Sequence, residues 1–249
     1  MKIALIGYGK MGHIIEKIAT ERGNEITCCI DTHNPEMFES EEFRHSDVVI
    51  EFTIPTCAVA NIERCFAAGV PVVCGTTGWT SELPRLKALC EQGEGTMMWS
   101  SNFSIGVNIF MALNRYLAKI MNSFPGYSPS MTEIHHIHKL DHPSGTAITL
   151  AEQLVDCTDR LKDWAEPDDN GNVSSPELLP VAHERRGEVP GIHSIKWDSE
   201  ADDITITHSA KSRAGFALGA VMAAEWLAGK KGWYTIGRML NERTGLDIF

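Results

Sequence analysis

Ile3-Ala4-Leu5-Ile6-Gly7-Tyr8-Gly9-Lys10-Met11-Gly12 is the stretch that decides the fold. Its four consecutive apolar residues suit a strand buried on both faces, and Ile14, Ile15, Ile18 and Ala19 follow at helical spacing up to Gly23. Between strand and helix stands the spacing G-x-G-x-x-G. Gly7 permits a tight turn, Gly9 lets the backbone approach a pyrophosphate, and Gly12 lets helix and strand pack closely, while the helix N-terminus favours an anion. A second apolar run, Ile26 to Ile30, ends at Asp31, the acidic residue that a dinucleotide fingerprint places roughly 20 residues on. Asp31 suits ribose hydroxyls and favours NAD, whereas Lys10, beside Met11 in the loop, can reach a 2′-phosphate, so NADH and NADPH both stay open.

Working outward, Val48 to Phe52 is a third strand ending at Thr53 and Pro55, and Ala58 to Gly69 is helical. Val70 to Cys74 is another apolar run, halted by Gly75-Thr76-Thr77-Gly78. Leu83 to Gln92 reads as helix and Thr96 to Trp99 as a short strand before Ser100-Ser101-Asn102-Phe103. This alternation predicts an α/β fold with a Rossmann-type, doubly wound parallel sheet and a ligand crevice at the strands' C-terminal ends. After Asn108 the rhythm changes. A long helix to Met121, a break at Ser123 to Ser130, an extended segment Met131 to Lys139 and a helix Thr146 to Cys157 point to a second, α+β domain. Trp164 to Ser175 reads as a loop, Ile192 to Trp197 and Ile204 to His208 as strands, and Phe216 to Gly229 and Tyr234 to Leu240 as helices.

At 249 residues the chain is long for one domain, and two are expected. A formal net charge of -11 opposes attraction to nucleic acid or to anionic lipid. The seven cysteines lack paired metal-ligand spacing and read as reduced thiols, which points to a reducing compartment. Lys2 to Ile6 is too short for a signal sequence, and no apolar stretch approaches the roughly 20 residues that span a bilayer. A cytoplasmic protein without a membrane partner is the expectation.

The chemistry concentrates in Glu133-Ile134-His135-His136-Ile137-His138-Lys139-Leu140-Asp141-His142-Pro143-Ser144-Gly145-Thr146-Ala147. Alternation along an extended segment puts His135, Ile137 and Lys139 on one side and His136 and His138 on the other. Ser144-Gly145-Thr146 opens a helix, whose free N–H groups and two hydroxyls form a seat for a carboxylate, so an acidic substrate is implied. The helical zinc spacing H-x-x-x-H is absent and alternation splits the histidines between faces, so no metal is expected.

The run from His135 to Ala147 resembles the signature of dihydrodipicolinate reductases: a histidine pair, a lysine and P-S-G-T-A in that order. The similarity extends to the glycine loop, Glu51-Phe52-Thr53, Gly75-Thr76-Thr77-Gly78, Asn102 to Asn108 and, near the end, Ser212-Arg213, Phe216 and Gly219-Ala220. The resemblance implies NAD(P)H-dependent reduction of 4-hydroxy-tetrahydrodipicolinate to tetrahydrodipicolinate with loss of water, in diaminopimelate and lysine biosynthesis. It implies His135 and Lys139 as the catalytic pair, with the proton donor of the two left open, and His136, Ser144, Gly145 and Thr146 as holders of the substrate carboxylates. Gly75 and Thr77 then lie against the nicotinamide riboside, and Phe52 and Asn102-Phe103 border the nicotinamide, with Thr53 and Ser101 alongside and Arg213 contributing to nucleotide contacts. The implied architecture is a dinucleotide-binding domain of residues 1–106 plus 214–249 around an inserted substrate-binding and tetramerisation domain, 107–213, in a homotetramer. Two departures stand out: His142 where the family leads one to expect a small residue, and a short segment between Asp31 and Asp47. Another two-domain NAD(P) oxidoreductase acting on a small acidic substrate, a non-catalytic nucleotide-sensing regulator and a metal-dependent hydrolase are the alternatives.

Overall fold

The first apolar run forms β1 (Lys2–Ile6), and the glycine loop leads directly into α1 (Lys10–Glu21), in a computed structural model that describes residues 1–249. In chain order there follow β2 (Glu25–Ile30), a one-turn α2 (Glu41–Arg44), β3 (Val48–Glu51), α3 (Pro55–Ala67), β4 (Val72–Cys74), α4 (Leu83–Glu91) and β5 (Thr96–Trp99). Next come α5 (Ile105–Met121), β6 (Ser128–His135), α6 (Gly145–Asp156), β7 (Asp163–Ala165), β8 (Leu178–Arg185), β9 (Ile192–Asp198) and β10 (Asp203–Ser209). The chain ends with α7 (Ala214–Leu227), β11 (Gly232–Tyr234) and α8 (Ile236–Thr244). The chain divides into two compact units, residues 1–105 with 213–247 and residues 106–212 with 248–249.

The first unit holds a six-stranded sheet, β2-β1-β3-β4-β5-β11, with every adjacent pair parallel. Strand order reverses between β1 and β3, the point where open α/β sheets leave a crevice for ligand. The unbroken apolar character of β1, β3 and β4 follows from helices on both faces; Ile3, Leu5, Val49, Ile50 and Val73 are fully buried. At the switch point Gly7 makes the tight turn and Gly12 packs against it. Gly7 has φ +91°, and a Cβ on it would lie 2.1 Å from the Phe52 carbonyl oxygen at the end of β3. A Cβ on Gly12 would lie 2.5 Å from the Gly7 carbonyl oxygen, so helix and loop touch backbone to backbone.

The second unit is a mixed sheet, β10-β9-β6-β8-β7, whose apolar core gathers Phe110, Met131, Leu150, Leu154, Val181, Ile195 and Trp197. β6 pairs parallel with β8 and antiparallel with β9.

Several expectations need correction. The extended segment ends at His135, not Lys139, because residues 136–139 form a turn closed by the Lys139 N–H donating to the His136 carbonyl at 3.1 Å. Strand alternation therefore does not relate His135 to Lys139. β6 instead begins at Ser128, inside the expected break, since Pro129 faces inward on an otherwise alternating strand. β8 goes unannounced in the sequence, its inward face being only Leu179 and Val181 around Pro180. Trp164 belongs to the edge strand β7, and Tyr234 closes β11 before Thr235 caps α8 by accepting from the Arg238 N–H. No helix is long and apolar enough to cross a membrane, and all seven cysteines are unpaired.

The glycine geometry makes a testable distinction. Gly12→Ala is expected to destabilise the fold by roughly 1–3 kcal/mol through overpacking against Gly7. A Cβ on Gly9 meets nothing within 4 Å, so Gly9→Ala is expected to stay within about 0.5 kcal/mol of the parent. Urea unfolding of the two variants checks this, and equal losses would contradict the assignment of Gly12 to packing.

Candidate active site

In the second unit the sheet register builds a buried charge cluster around Glu133. Strand pairing sets Glu133 opposite His193 on β9, and His135 opposite Arg185 on β8. Glu133 is fully buried, and His135 and His193 are nearly so. The Ser144 backbone N–H donates to Glu133 Oε1 at 3.1 Å and Arg185 Nη2 donates to the same oxygen at 3.2 Å. The other oxygen, Oε2, lies 3.1 Å from His135 Nδ1 and 3.8 Å from His193 Nε2. These are ion-pair distances without hydrogen-bond alignment, leaving Oε2 and the Nδ1 atoms of both histidines unpartnered. His193 Nε2 in turn meets Ser144 Oγ at 3.3 Å.

Burial alone would push the Glu133 carboxyl up, but the Ser144 hydrogen bond, His135 and Arg185 outweigh it and hold it below its ordinary value. His135 is pushed down by burial and by Lys139 and Arg185, against the pull of Glu133. Burial and then the nearby His135 push His193 down to about 4. At neutral pH the cluster is thus a carboxylate facing a guanidinium and two neutral imidazoles.

The turn after β6 carries Lys139, whose Nζ donates to both carboxylate oxygens of Asp141 at 2.8 Å. Arg185 ties this turn down, with Nε donating to the Lys139 carbonyl at 3.2 Å and Nη2 to the Asp141 carbonyl at 2.6 Å. His136 stands at the start of the turn with a buried, unpartnered Nδ1. Ser144 caps α6, its Oγ accepting from the Ala147 N–H at 3.2 Å, and Gly145 and Thr146 form the first turn. His135, Lys139, Ser144, Gly145 and Thr146 therefore sit on neighbouring segments of one unit. Glu133, Arg185 and His193 were not singled out from the sequence. Glu133 lies at the head of the motif two residues from His135, the spacing of one strand face, whereas the other two enter through long-range strand pairing.

In the first unit a cavity of about 430 Å³ opens at the switch point, lined by Gly7, Gly9, Asp31, Phe52, Thr53 and others. The N–H groups of Lys10, Met11 and Gly12 begin α1, where no intrahelical acceptor exists, and the first helical bond is His13 N–H to the Gly9 carbonyl at 3.1 Å. Open space over Gly9, free N–H groups and a carboxylate at the end of β2 fit a dinucleotide. Asn61 and Arg64 also line the cavity; with Cys57 they occupy positions i, i+4 and i+7 of α3, a signal present in the sequence. Of the remaining residues, Gly75 and Thr77 follow β4, Ser101 to Phe103 follow β5, and Arg213 precedes α7. A Cβ on Gly75 would lie 2.2 Å from the Phe52 ring, which also sits 6.2 Å from the Phe103 ring. The Thr76 carbonyl accepts from both Trp79 Nε1 at 2.7 Å and Trp99 Nε1 at 3.0 Å, fixing the Gly75–Thr77 loop. Asn102 Oδ1 accepts from the Ser104 N–H at 2.9 Å, while Thr77, Ser101 and Arg213 are exposed. Cys74 donates to the fully buried Glu51 at 2.9 Å, and burial followed by that carboxylate pushes its thiol well up, so it is a poor nucleophile.

The depressed His193 sets an acid limit on stability. Its folded pKa of about 4 lies below the unfolded 6.5, so the unfolded chain binds more protons between those values. The associated stability is complete above pH 6.5 and falls as pH drops toward 4, by roughly 3 kcal/mol for a shift of this size. Urea unfolding at pH 7 and pH 4.5 is expected to show this loss in the parent and a smaller one in His193→Gln; identical pH dependence would contradict it.

Residues 1–103 match the family model described as dihydrodipicolinate reductase, N-terminus, and residues 106–240 match its C-terminus. A 4-hydroxy-tetrahydrodipicolinate reductase of Christiangramia forsetii is 42% identical over 97% of this chain and 98% of its own. One from Archaeoglobus fulgidus is 34% identical over 97% of this chain and 100% of its own. The solved structure of a dipicolinate-bound dihydrodipicolinate reductase from Paenisporosarcina sp. TG-14 shares the fold, with a TM-score of 0.74 at 21% identity over 94% of this chain and 97% of that one. With two matched family models spanning both units and relatives aligned over almost their whole length, this chain belongs to the dihydrodipicolinate reductase family.

Proposed function

We propose that this protein reduces 4-hydroxy-tetrahydrodipicolinate to tetrahydrodipicolinate with NADH or NADPH, releasing water, in diaminopimelate and lysine biosynthesis. The observation that carries the reading is the Glu133 cluster, which holds His135 and the N-terminus of α6 together beside the Lys139 turn. The full-length similarity to named reductases supports the same activity.

The α6 N-terminus, with Ser144, Gly145 and Thr146, receives one substrate carboxylate through backbone N–H groups and the Thr146 hydroxyl. His136 serves the second carboxylate. Bound NADH or NADPH supplies the hydride, and Gly7, Gly9, Lys10, Met11, Gly12, Asp31, Thr53 and Arg213 hold the nucleotide while Phe52, Gly75, Thr77, Ser101, Asn102 and Phe103 shape its nicotinamide end. Asp31 and Arg64 both line the nucleotide cavity, giving a ribose hydroxyl and a 2′-phosphate each a partner.

Of the two catalytic residues, we assign the proton to Lys139. His135 carries a lowered pKa and is a neutral imidazole at pH 7, suited to orient and polarise rather than to deliver a proton. The Lys139 ammonium protonates the departing hydroxyl or the ring nitrogen as charge develops, and Asp141 holds it in place between turnovers. Glu133 and His193 are positioning residues that act through His135 and Ser144. The buried, protonated Cys74 argues against a thioester-forming aldehyde dehydrogenase. The cytoplasm as location and a homotetramer built on residues 107–213 belong to the same proposal.

Absorbance at the reduced nicotinamide band, with freshly generated 4-hydroxy-tetrahydrodipicolinate and each cofactor in parallel, tests the activity. Substrate-dependent decay is expected, with kcat in Lys139→Ala lower by roughly 10²–10⁴-fold, the range of general acid catalysis. Folded protein that binds nucleotide yet shows no decay would contradict the reading and favour a nucleotide-sensing regulator.

A further inference from the structure

His142, Glu166 and His183 come from three separate segments of the second unit and converge at its surface. His142 precedes α6, Glu166 follows the edge strand β7, and His183 stands on β8 in register with Glu133. His183 Nδ1 lies 2.6 Å from Glu166 Oε2, and His142 Nδ1 lies 3.1 Å from the same oxygen and 3.2 Å from Oε1. The two imidazoles stack with centroids 4.2 Å apart and planes 18° from parallel. One ligand atom from each of the three residues falls within 4.8 Å of the others.

From this geometry we infer a divalent transition-metal site, of a kind that takes Zn²⁺ or Co²⁺, formed by His142 Nδ1, His183 Nδ1 and Glu166. Two imidazoles and one carboxylate on one side of an ion are a donor set that suits such metals and leaves further positions open to water. Ligand atoms at about 2.0–2.1 Å from a zinc ion lie a little over 3 Å from one another; the His142 Nδ1–Glu166 Oε2 spacing of 3.1 Å matches this, and His183 Nδ1, now 2.6 Å from that oxygen, moves outward to take an ion. Both Nδ1 atoms already meet one carboxylate oxygen, and the two exposed rings need only rotate out of their stack for the in-plane lone pairs to converge on one ion. His142 lies two residues before Ser144, so an ion here ties the approach to the α6 N-terminus to the edge of the sheet. The site needs these three residues alone and does not depend on the reductase reading.

Metal-stripped full-length protein titrated with Co²⁺ tests it, followed by visible absorbance and by competition with Zn²⁺. The expected result is a one-to-one cobalt band displaced by zinc, and binding weaker by about tenfold or more in His142→Ala, His183→Ala and the near-isosteric Glu166→Gln. His45→Ala, which removes an exposed histidine paired with Glu41 elsewhere, is expected to leave the band unchanged. Far-UV circular dichroism establishes that each variant is folded. Absence of a band and of zinc binding in the parent would overturn the site, as would a band that survives the three substitutions and disappears in His193→Gln, which would put the ion in the buried Glu133 cluster.

Discussion

A single buried carboxylate organises the second unit of this molecule. Glu133 is fully enclosed, and an ion in such surroundings persists only when paired and hydrogen-bonded. Its two oxygens face different partners, with Oε1 receiving the Ser144 N–H and Arg185 while Oε2 faces His135 and His193. Three things follow from one charge. The start of α6 is anchored to β6, the guanidinium that ties down the Lys139 turn is held in place, and the His135 ring is set beside an anion that partly offsets its desolvation.

The nucleotide unit relies on a different constraint, the near contact of backbones at the switch point. Gly7 against the end of β3 and Gly12 against Gly7 leave no room for side chains, which draws α1 close to the strand ends and keeps its first N–H groups available. The Gly75 loop is fixed by two tryptophan indoles sharing the Thr76 carbonyl, with the Phe52 ring filling the space a larger residue would need. Both units thus use buried polar contacts to position segments that are themselves loops or turns.

Much of this was legible in the sequence because the signals are local. The glycine spacing, the apolar runs of β1 to β4 and the Ser144 cap all depend on residues within a few positions of one another. The misreadings have non-local causes. Strand alternation extended through Lys139 fails because the chain turns after His135, closed by the Lys139 N–H on the His136 carbonyl, and β8 is held by its neighbours rather than by its own pattern. His193 and Arg185 enter the cluster through pairing across 60 and 52 residues of chain from Glu133, which no local period encodes. Glu51, read within an apolar run, is a buried carboxylate whose partners Cys74 and Thr53 also come from the fold.

The central claim is that the Glu133 carboxylate positions the catalytic groups without touching the reacting atoms. The most direct measurement is kcat/KM of Glu133→Gln, an isosteric change that removes the charge, alongside the dissociation constant for the reduced cofactor. The expected result is kcat/KM lower by roughly 10–100-fold, as for removal of an outer positioning group, with nucleotide binding unchanged. Parent-like kcat/KM in a folded Glu133→Gln protein would contradict it.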